Sequence, residues 1–268
     1  MKSRLIALDI DGTILDRPAG LPVPAAVREA VREAREAGAR VCLCSSRPCF
    51  FMGEATLALD EIDALIGCSG AMIEIPGLPG AGARFYEDEM PLSLSASCLE
   101  IAKKHDLYIS FAGKERIMIR RMGPVDPEIA SDPAFTVVEE DALKDAFRKA
   151  LPLCSYIVLG PETPDEIVAG APALADSTMN KASRNCFVVT KKGTDKGSGV
   201  LKVADYWGIP REAILAVGND ENDLPMFEIA GVGVAVANAC PSILAAADWI
   251  APDVRHAGAA EAIRRFAL

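Results

Sequence analysis

Leu5-Ile6-Ala7-Leu8 is an apolar run that stops on Asp9-Ile10-Asp11-Gly12-Thr13, two carboxylates one residue apart. Together with Arg4 it has the length and composition of a buried strand over residues 4–8. Acid at the C-terminal end of such a strand is informative, because in an open parallel α/β sheet that end is where ligands bind. Gly12 lets the backbone turn away so that both carboxylates can face one point, and two such groups invite a divalent cation. A calcium loop is excluded, since it needs glycine at its sixth position and glutamate at its twelfth, and Ile14 and Gly20 stand there.

The rest of the chain reads as partners for that strand. A helix is expected over residues 24–37, with Gly38 as its C-cap, followed by a strand over 40–44, a helix over about 50–59 and a third strand over 64–68. Right-handed crossovers make these strands parallel neighbours. Ser69-Gly70-Ala71 and the Gly/Pro-rich stretch after Ile75 then break the pattern. From about residue 82 to 185 the order changes to short strands, at 84–86, 108–112, 116–121 and 156–159, with helices at 92–104 and 141–150 and a hairpin turn at Gly113-Lys114. Strand 187–190 ends that stretch and opens the closing segment. Strict alternation then resumes: helix from about 196 to 207, strand 214–217, helix 223–229, strand 233–236, a short edge strand at Trp249-Ile250 and a closing helix from Gly258. The fold class expected is α/β, a doubly wound, Rossmann-like parallel sheet from residues 1–81 and 186–268, with an inserted α+β domain over 82–185.

Composition narrows the function. Half of the 268 residues are hydrophobic, enough for a large core, and no apolar run approaches a membrane span. Met1-Lys2-Ser3-Arg4 leads into a stretch too short and too soon interrupted by acid to be a signal peptide. The eight cysteines are scattered without a Cys-x-x-Cys pair, as in a reducing compartment, so the expected location is the cytoplasm. A formal net charge of -10 argues against a nucleic-acid surface, and two histidines far apart in sequence give little support to a histidine metal cage or a Ser-His-Asp triad.

If the outer segments make one sheet, polar groups should gather at the C-terminal ends of its strands. The first supplies Asp9 and Asp11, the second Ser45-Ser46-Arg47, and the strand ending at Val217 supplies Gly218-Asn219-Asp220-Glu221-Asn222-Asp223. Lys196 stands at the expected start of a helix, where a cation and backbone N–H groups can meet an anion together. Each has a plain structural reading when taken singly: Ser45 can cap a helix, Lys196 can be a solvated first-turn residue, and Asp223 can complement a helix dipole. Together they need four strand ends to become polar by coincidence in a chain that is half apolar.

In order, Asp9-Ile10-Asp11-Gly12-Thr13, Ser45, Lys196 and Gly218-Asn219-Asp220-Glu221-Asn222-Asp223 resemble the four motifs of the haloacid dehalogenase superfamily. The branch is that of Cof-type, sugar-phosphatase-like hydrolases, whose α/β cap lies between the second and third motifs. The resemblance implies a phosphatase of small phosphorylated metabolites, with Mg2+ as cofactor, working as a monomer or homodimer with no nucleic-acid or membrane partner. Asp9 would be the nucleophile and Asp11 the general acid and base, with Thr13 supporting the turn, Ser45 bonding the phosphoryl oxygens and Lys196 binding the phosphate and holding Asp9. Gly12, Ser46, Arg47 and Asn222 would contact substrate. Mg2+ would be positioned by Asp9, the Asp11 carbonyl and the group Asn219, Asp220 and Asp223. A phosphomutase on the same scaffold and a non-catalytic domain that binds a phosphorylated ligand are the rival readings.

The chain departs from that branch in three places. Ser45-Ser46-Arg47 replaces the usual Thr-Gly-Arg, so the hydroxyl stays but the stiffening methyl is lost. Ser69 stands where the branch often has asparagine. Gly218-Asn219 replaces Gly-Asp, so a carboxamide stands where the metal would meet a carboxylate.

Overall fold

The computed structural model describes residues 2–16, 19–60, 62–78, 84–107, 109–112, 117–120, 135–137, 156–159, 163–183 and 186–268. In chain order the elements are β1 (Leu5–Asp9), α1 (Ala25–Glu36), β2 (Arg40–Cys44), α2 (Gly53–Leu59), β3 (Ala64–Gly67), β4 (Met72–Glu74) and β5 (Arg84–Glu87). Then come α3 (Leu92–His105), β6 (Ile109–Ala112), β7 (Ile117–Arg120), β8 (Phe135–Val137), β9 (Tyr156–Leu159), α4 (Asp165–Ala169), β10 (Ser177–Ser183) and β11 (Cys186–Lys191). The chain ends with α5 (Lys196–Tyr206), β12 (Ile214–Gly218), α6 (Leu224–Ile229), β13 (Val232–Val236), α7 (Pro241–Ala246), β14 (Trp249–Ala251) and α8 (Gly258–Phe266). Two compact units result, one from Met1–Tyr86 with Asp195–Leu268, the other from Glu87–Thr194.

The first unit is a doubly wound α/β sheet in the order β14-β13-β12-β1-β2-β3-β4-β5. β1 sits in its middle, parallel to β2 and β12, and all five of its residues are buried. Its side chains alternate between two cores: Ile6 and Leu8 pack with α1 and α8, Leu5 and Ala7 with α5 and α6. Burial of each large apolar side chain contributes about 1.5–3 kcal/mol, which anchors β1 firmly. Val27, Ala30, Val31 and Ala34 give α1 its buried stripe at helical spacing, and Gly38 at φ 90° turns the chain into β2. The register matters most for function. Asp9 lies opposite Cys44, and Leu8 opposite Val217, so Asp9, Ser45 and Gly218 finish at one edge of the sheet.

In the second unit the sheet order is β10-β11-β9-β6-β7-β8, antiparallel except for the β7–β8 pair. Leu94, Cys98, Leu99 and Ala102 of α3 pack with Ile109, Phe111, Phe187 and Val189. This is an α+β arrangement.

Several strands differ from expectation. β4 runs antiparallel to β3, because Cys68, Ser69 and Gly70 all hold left-handed backbone and send the chain back on itself. β5, expected within the insertion, pairs at the edge of the first sheet, whereas β11, expected with the closing segment, belongs to the second. The expected helix over 50–59 divides at Met52 into a single 3-10 turn, Cys49–Phe51, and α2. β10 is a polar strand at a sheet edge, with no apolar run to announce it. The turn at Gly113-Lys114 and the helix over 141–150 lie outside the described residues.

Candidate active site

After β1 the chain folds into a tight turn in which the Ile10 carbonyl accepts from the amides of Thr13, Ile14 and Leu15. Ile10 is buried, so Asp9 and Asp11 face away from the core that holds it. Gly12 has φ 83°, and a Cβ there would lie 2.4 Å from the Asn219 carboxamide, so only glycine fits. Asn238 Nδ2 donates to the Gly12 carbonyl at 2.7 Å while its Oδ1 accepts from Val254, tying this turn to the segment after β13.

Asp9 is almost fully buried and held through both oxygens. Lys196 Nζ donates to Oδ1 at 2.7 Å and Thr13 Oγ1 to Oδ2 at 2.9 Å. Lys196 reaches it from the first residue of α5, whose start is fixed by reciprocal hydrogen bonds between Asp195 and Ser198. The same ammonium donates to Asp223 Oδ1 at 2.6 Å and Asn222 Oδ1 at 3.3 Å. Burial works against its charge, but Asp223 and Asp9 outweigh it and raise the lysine pKa above its ordinary value. For Asp9 the balance goes the other way: burial, and after it the Asp223 charge, push the carboxyl up to about 7 against the pull of Lys196.

Asp11 is half-exposed and forms a two-pronged pair with Arg47, Nε donating to Oδ2 at 2.8 Å and Nη2 to Oδ1. Arg47 is itself fixed, its Nη1 donating to the Phe51 carbonyl and its backbone amide to Ser45 Oγ. Sequence reasoning placed Arg47 against substrate, and here its guanidinium is engaged with the second aspartate.

Asn219 completes the centre. The end of its carboxamide that faces β1 stands 3.0 Å from Asp9 Oδ2, 3.0 Å from the Asp11 carbonyl oxygen and 2.9 Å from Thr13 Oγ1. With Nδ2 at that end the amide has its two N–H bonds to share among these three oxygens. Asp223 holds the loop from below, its Oδ2 accepting from the amides of Asn219 and Asp220. Asp220 turns its Oδ1 to the Glu221 amide as a cap. Thus Asp9, Thr13, Lys196, Asn219, Asn222 and Asp223 form one bonded cluster, with Asp11 and Arg47 paired beside it. Ser46 Oγ accepts from Asn222 Nδ2 at 2.9 Å and joins the cluster from the loop after β2. Asn238 and Asp195 were missed by sequence reasoning, since an asparagine or aspartate in a loop carries no signal of its own.

Among the described residues no three His, Cys, Asp or Glu side chains gather to hold a metal. The set at this edge is mixed instead: a carboxylate oxygen, a backbone carbonyl and a carboxamide. Hard oxygen donors of this kind suit Mg2+.

The chain belongs to the haloacid dehalogenase-like hydrolases, whose family model matches residues 6–263. Phosphoglycolate phosphatase of Methanothermobacter thermautotrophicus is 30% identical, with 98% of each chain covered. The 5-amino-6-(5-phospho-D-ribitylamino)uracil phosphatase YitU of Bacillus subtilis is 24% identical over 90% of this chain and 89% of its own. Among solved structures, BT1666 from Bacteroides thetaiotaomicron has a TM-score of 0.84 at 23% identity, covering 99% of this chain and 95% of that one, a likeness of fold.

Proposed function

We propose that this enzyme is a Mg2+-dependent phosphatase of small phosphorylated metabolites, working through a phosphoryl group carried on Asp9. The observation that carries the reading is the state of Asp9: a buried carboxylate fixed through one oxygen by a lysine and through the other by a threonine, at the ligand-binding edge of the sheet. The named phosphatases among its relatives support the same chemistry. A carboxylate about 4 Å from one phosphate charge is repelled by roughly 4 kcal/mol at an effective dielectric near 20. Lys196 offsets part of this, and Mg2+ when bound would offset more. The residues that would hold the ion are Asp9, the Asp11 carbonyl and Asn219, with the carboxamide turned to present its oxygen. Asp223, whose two oxygens are already in use, and Asp220 would supply charge from behind.

In the first step an Asp9 oxygen bonds to phosphorus as the ester P–O bond breaks, and Asp11, released from Arg47 and carrying a proton taken from solvent, gives that proton to the departing oxygen. In the second, water attacks the phosphorus while Asp11 takes up its proton, and inorganic phosphate leaves with Asp9 restored. Ser45 would bond the phosphoryl oxygens. All seven described cysteines are free thiols, which supports a cytoplasmic setting. No helix among the described residues is long and apolar enough to cross a membrane. The test is a broad panel of phosphate esters assayed for released phosphate with Mg2+ and with EDTA. Release with Mg2+ that EDTA abolishes is expected, and silence across the panel would overturn the reading.

The metal assignment has its own test. A neutral carboxamide attracts the ion less than a carboxylate would, so Asn219→Asp should lower the Mg2+ concentration for half-maximal activity by about tenfold or more, and Asn219→Ala should raise it. Superimposable Mg2+ titrations for the three proteins would remove Asn219 from the metal site.

A further inference from the structure

Cys68, Ser69 and Gly70 hold left-handed backbone in succession, at φ 52°, 51° and 94°. Two of the three are not glycine, an unfavourable arrangement that persists only where the surroundings enforce it. Here they do. The Cys68 amide donates to the Arg47 carbonyl at 2.8 Å and the Ser69 amide to the Ser45 carbonyl at 3.0 Å. On the other side, a Cβ at Gly70 would lie 2.0 Å from the Asp195 carbonyl oxygen, just before Lys196. The turn is clamped between the loop after β2 and the start of α5.

What this strained turn presents is one hydroxyl. Ser69 is fully buried, with Oγ 3.0 Å from Ser46 Oγ. Ser46 Oγ accepts from Asn222 Nδ2, and Asn222 Oδ1 accepts from Lys196 Nζ. The charge of the lysine sets the direction of this chain as far as Ser46. An ammonium has only protons to offer, so Asn222 must turn its oxygen to Lys196 and its NH2 to Ser46. Ser46 therefore accepts from Asn222, and its hydroxyl shares a second hydrogen bond with Ser69 in which either oxygen can be the donor.

We propose that Ser69 is a positioning residue of the active site, acting through Ser46 to fix the Asn222 carboxamide and so the aim of the Lys196 ammonium at Asp9. This rests on the phosphoryl-transfer reading of the centre, although the contacts stand without it. Ser46, expected from sequence to meet substrate, is the middle of this relay.

Ser69→Gly separates positioning from mere structure, because glycine relieves the backbone strain while deleting the hydroxyl. Thermal stability should be equal to or above wild type, yet affinity for inorganic phosphate with Mg2+ present, measured by calorimetry, should fall about 3- to 10-fold, the usual worth of one hydrogen bond. Ser46→Ala should fall similarly and the double variant no further than the worse single, since both cut one chain. Independently of any ligand, the Asn222 side-chain amide signals in NMR should shift in Ser69→Gly. Unmoved Asn222 signals, unchanged phosphate affinity, or losses that multiply in the double variant would each overturn the proposal. A wild-type protein with no affinity for phosphate would overturn the functional reading instead, and the Asn222 signals would still decide this one.

Discussion

Asp9→Asn should abolish turnover, by about four orders of magnitude or more, and should leave the fold intact. The activity loss follows from the covalent role: a carboxamide is a poor nucleophile, and nothing else in the bonded cluster offers an oxygen at the same place. The stability expectation follows from the electrostatics. Burial and then Asp223 push the Asp9 carboxyl up to about 7, so its charge is held at some cost to the fold. The substitution removes that charge, the amide oxygen left behind still accepts from Lys196, and Lys196 keeps its bond to Asp223. Melting in EDTA should therefore occur at or above the wild-type temperature. Intact-mass measurement after exposure to a turned-over ester should show no phosphoryl adduct on this variant, while Asp11→Asn should accumulate one. Turnover within tenfold of wild type would end the covalent mechanism.

The strands most legible in the sequence are those at the centre of the first sheet. β1, β2 and β12 are apolar on both faces because helices cover both, so an uninterrupted apolar run announces them. Acid or hydroxyl immediately after such a run has to lie at the strand end, which is why Asp9, Ser45 and Asn219 could be placed before any coordinates. Pairing was less legible. β5 and β11 are read correctly as strands, but which sheet each joins depends on partners far along the chain, and a local pattern carries no trace of that. β4 reverses because two non-glycine residues adopt left-handed backbone; Ser69-Gly70 announces a break, but nothing in it says that the chain turns back beside β3.

The site shows the same division between residue type and geometry. Sequence alone grouped Asp220 and Asp223 with Asn219 at the metal, with Asn219 as the expected ligand and the two aspartates supplying charge at or behind it. The structure gives them separate tasks, Asp223 clamping Lys196 and two backbone amides, Asp220 capping the turn that follows. The partner of Arg47 was likewise out of reach, since its pairing with Asp11 spans two loops and depends on χ angles.

Lys196→Met should be the most damaging single change to the fold. In the native protein this ammonium is buried between two carboxylates, at 2.7 Å from Asp9 and 2.6 Å from Asp223, with almost no exposure of any of the three. Methionine fills much of the volume but leaves both carboxylates buried without a counter-charge, and breaking a buried pair this way costs about 3–5 kcal/mol. For a domain of this size that is a drop of roughly 10 °C in melting temperature. The pH dependence gives the cause away. Without Lys196 the folded-state pKa of Asp9 must rise further above the unfolded value of about 4. A carboxylate raised in this sense penalises the fold above its unfolded pKa and not below it, so in metal-free buffer the deficit should be small near pH 4 and grow as the pH rises through 7. Adding Asp223→Asn should recover part of the lost stability by removing one of the two stranded charges, with no recovery of turnover, because the phosphate and Asp9 have still lost their cation. A deficit that is equal at every pH, and that Asp223→Asn does nothing to relieve, would mean that Lys196 supports the fold through packing and that the charge balance argued for Asp9 is wrong.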